Sequence, residues 1–189
     1  MDANDLKTLH ADAHKRMETA VEHVRRELAS VRTGRASVNL LDPIQVEAYG
    51  TTMPLNQVAT LSIPEPTVIV AQPFDPSTIG AIEKAIQKSS LGLNPSSDGK
   101  IVRIPIPPLT EERRKELSRL VHKYTEEGRN AIRQIRRDVN DRIKKLAKDH
   151  AISEDEERRG LDDVQKVTDQ HIAAIDDLQK KKDGELLGR

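Results

Sequence analysis

The chain has 189 residues, and its 31 basic and 31 acidic side chains give a formal net charge of zero. Hydrophobic residues make up 35% of the chain and charged residues 33%, with one Phe, two Tyr and no Trp. Such a composition argues against a thick globular core and favours long helices that each bury a narrow apolar stripe. The absence of cysteine excludes disulfides, thiolate metal sites and a cysteine nucleophile.

The chain also lacks an apolar run near the roughly 20 residues that a membrane span needs. The residues after Met1 do not form the apolar core of a signal peptide, so we expect a cytoplasmic protein without a membrane partner. Disorder would also fit so polar a chain, but the apolar residues recur at regular spacing.

The neutral total conceals a difference between neighbouring segments. Residues 110–149 contain 13 Lys/Arg and 8 Asp/Glu, whereas residues 150–189 contain 7 and 11. A local basic surface, and with it a nucleic-acid partner, is therefore compatible with the composition.

The first periodic segment predicts an amphipathic helix over residues 3–33. This segment has no Gly or Pro, and its apolar residues follow one another at steps of three, four or seven. They are Leu6, Ala13, Met17, Val21, Val24, Leu28 and Val31. The helix is expected to end at Thr33-Gly34, because glycine suits the left-handed backbone just past a helix end.

Residues 35–108 differ in composition from the rest of the chain, since all ten prolines fall between Pro43 and Pro108. Alternating or β-branched runs predict strands at 44–49, 67–71 and 101–104. Between the second and third strands, Asp75 followed by Pro76 predicts the start of a short helix over 77–89. These elements predict a small, β-rich α/β domain.

Two further amphipathic helices follow the proline-rich stretch. The second begins after Thr110, and Gly128 falls on its apolar stripe, either as a close-packing site or as a tolerated glycine. The other stripe positions are Leu117, Val121, Tyr124, Ala131, Ile135, Val139, Ile143 and Leu146. The third begins at a capping-box pattern, Ser153 with Glu156, and runs to about Leu187. Its stripe is Leu161, Val164, Thr168, His171, Ile175 and Leu178.

These elements predict an α+β protein: an elongated three-helix bundle, residues 1–33 with 106–189, into which residues 34–105 are inserted as the small domain. The insert leaves and rejoins the bundle through two adjacent crossings, which predicts a two-stranded hinge and rigid-body rotation between the domains. The predicted hinge residues are Thr33, Gly34, Arg35, Pro105, Pro107 and Pro108.

A search for catalytic motifs finds no phosphate-binding loop, no dinucleotide fingerprint, no zinc-protease motif and no nucleophile elbow. His10 and His14, one turn apart, can hold a metal in principle, but two imidazoles alone are an incomplete site. We therefore expect no enzyme activity, no catalytic residue, no metal and no cofactor.

The distinctive polar feature is a row of four arginines on the second helix, Arg129, Arg133, Arg136 and Arg137. Angles around the helix axis are counted from Leu117 at about 100° per residue. On this scale the apolar stripe centres at about 20° and the arginines fall between about 100° and 200°, which predicts an exposed row. Guanidinium groups one turn apart can bind successive phosphates through paired hydrogen bonds. A solvated face paired with Asp138, Asp141 and the acidic third helix fits the spacing equally well.

The order of several motifs resembles the ribosome recycling factor family, over nearly the whole chain. The runs that carry the resemblance are VRTGRAS (31–37), LGLNP (91–95), IPPLTEERRK (106–115), IRRD (135–138), ISED (152–155) and DDVQK (162–166). The resemblance implies a monomer that mimics the outline of a tRNA, binds the large ribosomal subunit and, with elongation factor G, splits the post-termination ribosome. The arginine row would then bind ribosomal RNA, with Arg133 and Arg136 most important.

A coiled-coil protein whose helices pair with another protein is the alternative that the helical patterns alone leave open. It differs in predicting self-association or a helical partner, whereas the resemblance implies a monomer that co-sediments with ribosomes.

Overall fold

The computed structural model describes residues 3–188. The chain folds there as two compact units, with boundaries between Arg32 and Thr33 and between Thr110 and Glu111. The helices are α1 (Ala3–Ala29), α2 (Leu55–Val58), α3 (Ile79–Lys88), α4 (Glu111–Lys148) and α5 (Glu154–Leu186). The strands are β1 (Gln45–Ala48), β2 (Thr51–Pro54), β3 (Ala59–Glu65), β4 (Val68–Pro73), β5 (Ser96–Ser97) and β6 (Val102–Pro105).

The first unit is a bundle of α1, α4 and α5, in which each helix packs against the other two. The predicted stripe of α1 is buried from Ala13 to Val31, while Leu6 is half-buried. On α4, however, Thr125 and Ile132 are buried, whereas Tyr124 is half-buried and Ala131 is exposed. The prediction that Ala131 belongs to the buried stripe is therefore wrong. Burial on α4 depends on where the two neighbouring helices pack and not on the apolar residue type alone.

Gly128 lies where α4 approaches both other helices. A Cβ atom at this position would lie 3.1 Å from Ile175 Cδ1 and would overlap Val24 Cγ2. Both neighbouring side chains are fully buried, so neither has open space to move into. Of the two interpretations of this glycine, close packing is the one that the structure supports.

The start of α5 has the predicted capping box. The Ser153 hydroxyl accepts a hydrogen bond from the Glu156 backbone N–H at 3.2 Å, and the Glu156 carboxylate accepts one from the Ser153 N–H at 2.8 Å. This second bond is the main cause that lowers the pKa of Glu156. The exchange satisfies two of the donors that a helix N-terminus leaves unpaired.

The second unit, Thr33–Thr110, contains a two-stranded antiparallel sheet, β1-β2, and a four-stranded antiparallel sheet in the order β3-β4-β6-β5. Its core is formed mainly by β-branched and leucine side chains of the strands and of α3, with Ile69, Ile82, Ile86 and Ile104 fully buried. The Asp75 side chain accepts a hydrogen bond from the Ser77 N–H at 2.9 Å, which confirms the predicted helix start in this region.

The unit boundary at the C-terminal crossing lies later than the predicted residue 105. The Ile106 N–H donates to the Thr67 carbonyl at 2.7 Å, and the Ile106 side chain belongs to the core of the inserted unit. The pairing of β6 with the preceding chain therefore extends to Ile106, which places this residue in the inserted unit; the boundary itself follows Thr110.

None of the helices within residues 3–188 is long and apolar enough to cross a membrane.

Candidate nucleic-acid interface

The four predicted arginines lie on α4 and differ in exposure. The Arg129 side chain is 15% exposed and that of Arg133 is 39% exposed, whereas Arg136 is half-buried and Arg137 is exposed. The row is therefore uneven in exposure: Arg129 is largely covered, Arg133 and Arg136 are partly exposed, and Arg137 is open to solvent.

Arg129 is held against α5 by a set of charged and amide groups. Its Nε and Nη2 atoms donate to Asp176 Oδ1 at 2.9 and 2.7 Å, and Nη2 also bonds to Gln179. On its own helix, Nη1 bonds to Glu126 at 3.2 Å. The prediction of an exposed guanidinium is wrong at this position, because Arg129 projects from the edge of α4 that α5 covers.

Arg133 shares the same carboxylate. Its Nη1 atom donates to Glu126 Oε1 at 3.2 Å and to Asn130 Oδ1 at 3.1 Å. Hydrogen bonds from Arg133 and then Arg129 hold the pKa of Glu126 below its ordinary value, so this carboxylate is ionised at neutral pH. One negative charge thus lies between two arginines, and the charge of Arg133 is only partly compensated.

Arg136 is held by a neutral group. Its Nη1 atom donates to Gln165 Oε1 of α5 at 2.9 Å. Its Nε atom is buried and has no hydrogen-bond partner within residues 3–188, so the inner part of the side chain lies against the bundle. In the same described range, no carboxylate oxygen lies within 4.0 Å of its guanidinium nitrogens. Arg136 is therefore fixed in place without being neutralised.

Arg137 forms no hydrogen bond or ion pair within the described part of the chain, and it is exposed. Its neighbour Asp138 pairs instead with Arg16 of α1 at 2.6 Å and with Arg142 at 3.3 Å. The interpretation as a face paired with the acidic third helix thus holds for only part of the row. Arg129 is tied to the acidic third helix, while Arg136 and Arg137 keep their charge available.

The predicted hinge residues lie in the inserted unit or at its edge. Gly34 has φ +73°, and a Cβ atom there would lie 3.2 Å from Leu109 Cγ, so the two chain crossings run side by side. The Ala36 N–H bonds to the Pro66 carbonyl at 2.7 Å, next to the Thr67 carbonyl that accepts from Ile106. The β3–β4 turn thereby anchors both crossings.

Pro105 belongs to β6, where it pairs with Val68, and it is therefore part of the sheet and not of a free crossing. Pro107 and Pro108 follow the last anchored residue and lie in irregular, exposed chain. Thr33 and Arg35 flank Gly34 ahead of the anchor at Ala36. Thr33 and Gly34 thus precede the anchor at Ala36, and Pro107 and Pro108 follow the anchor at Ile106.

One of the two histidines considered as metal ligands, His14, packs against another histidine ring. The His14 ring packs edge-on against the His171 ring at a centroid distance of 5.0 Å, and His171 bonds to the Val167 carbonyl. Among residues 3–188, no group of three or more His, Asp or Glu side chains is arranged to hold a metal ion.

Sequence reasoning missed the residues that orient the arginines. Glu126 lies three residues before Arg129 and seven before Arg133, a spacing that could have indicated the pairing. Asp176, Gln179 and Gln165 are on another helix, so only the relative register of α4 and α5 reveals their role.

Comparison with known proteins places these features in a family. The family model for ribosome recycling factor matches residues 24–187. The ribosome-recycling factor of Carboxydothermus hydrogenoformans is 54% identical over 176 residues, covering 93% of this chain and 95% of that protein. That of Symbiobacterium thermophilum is 53% identical over 181 residues, covering 96% and 98%.

Solved structures agree over the whole chain length. A solution structure of the ribosome recycling factor is similar with a TM-score of 0.71 and 44% identity, covering 98% of each chain. A second has a TM-score of 0.63 and 50% identity over the whole of both chains. It is a model of the T. thermophilus ribosome recycling factor and the E. coli elongation factor G bound to the E. coli post-termination complex. This chain belongs to the ribosome recycling factor family.

Proposed function

We propose that this chain is a translation factor that binds the post-termination ribosome through the arginine row of α4 and, with elongation factor G, splits it into subunits. Its family membership supports the recycling role, and the similar structure with elongation factor G on the post-termination complex supports the two partners. The factor itself carries no catalytic group, acts as a monomer in the cytoplasm, and contributes binding and mechanical coupling.

The observation that carries the RNA-binding part of this proposal is the uncompensated or partly compensated charge of Arg133, Arg136 and Arg137. Arg136 is fixed by a neutral amide, Arg137 has no partner within residues 3–188, and Arg133 shares its one carboxylate. Guanidinium groups bind phosphate oxygens through two parallel hydrogen bonds, and such contacts need no base recognition. Ribosomal RNA fits this chemistry, and the large subunit is the partner that the family resemblance implies.

Differences in pairing and exposure assign different tasks to the four arginines. Arg136 and Arg133 are positioned and charged, so they contribute most of the affinity. Arg137 adds a solvent-exposed phosphate contact. Arg129, whose charge faces Asp176 and Glu126, supports the row by joining α4 to α5. Its removal would change folding as well as binding, so it is unsuitable as a clean test of RNA contact.

The experiment is to measure the affinity of Arg136→Ala for purified large subunits. Loss of one charge-assisted hydrogen bond, worth roughly 1.5–3 kcal/mol, predicts binding that is at least about tenfold weaker. The melting temperature should stay nearly unchanged, because Arg136 makes only one hydrogen bond, to a neutral group, within residues 3–188. Unaltered binding of Arg136→Ala to large subunits would contradict the proposed role of the arginine row in RNA binding.

Arg158→Ala is the matched control. Arg158 is 74% exposed at the start of α5 and bonds only to Asp155 one turn before it within residues 3–188, so its removal takes away the same charge from another face. Binding should remain within about twofold of the wild type, since exposed pairs contribute little. Equal losses for both variants would mean that overall charge, and not this row, sets the affinity.

We further propose that segments 33–35 and 107–110 form the hinge through which splitting works. Gly34 has the left-handed φ of +73° at one crossing, and the proline pair at 107–108 limits the torsions available to the other. The hinge residues are therefore Thr33, Gly34, Arg35, Pro107 and Pro108, while Pro105 serves the sheet.

A further inference from the structure

Gln165 of α5 makes two directed hydrogen bonds with its single amide group. Its Oε1 atom accepts from Arg136 Nη1 at 2.9 Å, and its Nε2 atom donates to Asp169 Oδ1 at 2.8 Å. An ionised carboxylate can only accept, so Asp169 requires the amide NH₂ to face it. The amide oxygen is then directed toward Arg136. The two hydrogen bonds together fix the orientation of the Gln165 amide and hold the Arg136 guanidinium.

The partner of Arg136 differs in charge from the partners of the other positioned arginines. Arg129 faces two carboxylates and Arg133 faces one, whereas Arg136 faces an amide of nearly the size and shape of glutamate. A carboxylate at position 165 would bind the guanidinium more strongly and would neutralise it. The amide holds the side chain and leaves its full positive charge for an incoming anion.

We propose that Gln165 is a positioning residue, which orients Arg136 toward a ribosomal RNA phosphate while keeping its charge uncompensated. This inference rests on the proposed function of the arginine row. Holding a long side chain in place before binding lowers the conformational entropy lost on association. The outer Nη2 atom of Arg136 has no partner within residues 3–188 and is not among the buried atoms, so it stays available to the phosphate.

The decisive variant is Gln165→Glu, which changes charge but hardly changes shape. The new carboxylate should pair with Arg136 and compete with the phosphate. We expect large-subunit binding at low salt to weaken about tenfold, the size of one charge-assisted contact. The slope of log affinity against log salt should become shallower by about one, because one fewer phosphate is neutralised. The melting temperature should not fall, since the new exposed ion pair with Arg136 offsets the repulsion between the new carboxylate and Asp169.

Gln170→Glu is the matched control, because Gln170 is an exposed glutamine on the same helix. It adds the same charge without facing Arg136, so both affinity and salt slope should stay close to those of the wild type. Gln165→Leu removes the amide without adding charge. It should weaken binding by less than Gln165→Glu and leave the salt slope unchanged, because Arg136 is then mobile but still charged.

Combination with Arg136→Ala separates this inference from the proposed function. If Gln165 acts through Arg136, Gln165→Glu should have no further effect in the Arg136→Ala background. If Arg136→Ala itself binds normally, the proposed role of the row fails. If Arg136→Ala weakens binding but Gln165→Glu behaves like Gln170→Glu, the row stands and the positioning role of Gln165 is overturned.

Discussion

Replacing Gly128 by alanine tests the close packing at the centre of the bundle. The added Cβ would overlap Val24 Cγ2 and lie 3.1 Å from Ile175 Cδ1, and both side chains are fully buried. Overpacking of this kind costs roughly 1–3 kcal/mol. Alanine regains roughly 0.8–1.0 kcal/mol of helix propensity over glycine. The difference between these ranges is about 0–2 kcal/mol, and the overlap with fully buried Val24 favours its upper half, a net loss in the free energy of unfolding of about 1–2 kcal/mol or a fall in melting temperature of roughly 2–8 °C.

Differential scanning calorimetry is the suitable assay, because the bundle and the inserted unit need not unfold together. Gly80→Ala is the control: nothing lies within 4 Å of a Cβ atom at this helical glycine, so the variant should gain up to about 1 kcal/mol. A Gly128→Ala protein that is as stable as the wild type, or more stable, would refute the inferred approach of α1 to α4.

A second variant identifies the cause of any loss. Val24→Ala removes the methyl group that the new Cβ would meet, although it destabilises the wild-type core by leaving a cavity. Combined with Gly128→Ala, it should be more stable than the sum of the two single effects, by roughly 0.5–3 kcal/mol. Purely additive effects would assign the loss to something other than this contact.

Two further predictions concern the α1–α4 ion pair and the hinge. The hydrogen bond from Arg16 is the main cause that lowers the pKa of Asp138 in the folded protein. The stabilisation that this ion pair contributes is therefore present above about pH 3.9, the ordinary pKa of Asp, and is lost as the pH falls through the lower pKa of the folded state. Arg16→Gln should therefore be less stable than the wild type in urea at pH 7, and the difference should shrink as the pH falls below about 3.9; a difference that stays the same down to pH 2 would contradict the pairing. Replacing Pro107 and Pro108 by glycine should preserve large-subunit binding but slow subunit splitting with elongation factor G, since a flexible crossing transmits less force. Undiminished splitting, followed by light scattering, would argue against a mechanical hinge.

The three long helices could be predicted from the sequence because their apolar periodicity persists over many turns. The start of α5 could also be placed, since Ser153 and Glu156 form a cap within one turn of chain. The end of α1 was predicted at Thr33, but the helix ends at Ala29, and Val31 remains buried beyond it. An apolar pattern thus predicts which residues are buried more reliably than where the helix hydrogen bonds stop.

The short strands of the insert were harder to predict because their pairing is not local. Strand β3 is mostly exposed and contains Ser62 and Pro64, so its sequence lacks the alternation of a half-buried strand. Its position is determined by the antiparallel register with β4. Strand β5 has only two residues, too few for any periodic signal.

The arginine row illustrates the same limit at the candidate site. The helical spacing predicts that the four arginines lie on one side of α4, but it does not tell which of them α5 covers. Arg129 meets Asp176 47 residues away, and Arg136 meets Gln165 29 residues away. The register between the two helices determines whether an arginine meets a carboxylate or an amide. An arginine that meets an amide keeps its positive charge uncompensated.

The most direct test of the central claim is a salt titration of large-subunit binding by the wild type and by a variant in which Arg133, Arg136 and Arg137 are all replaced by glutamine. If these side chains neutralise ribosomal RNA phosphates, log affinity should fall linearly with log salt. The variant's slope should be shallower by about two to three, since each phosphate contributes roughly 0.7–0.9. Identical slopes for the two proteins would contradict phosphate binding by this row.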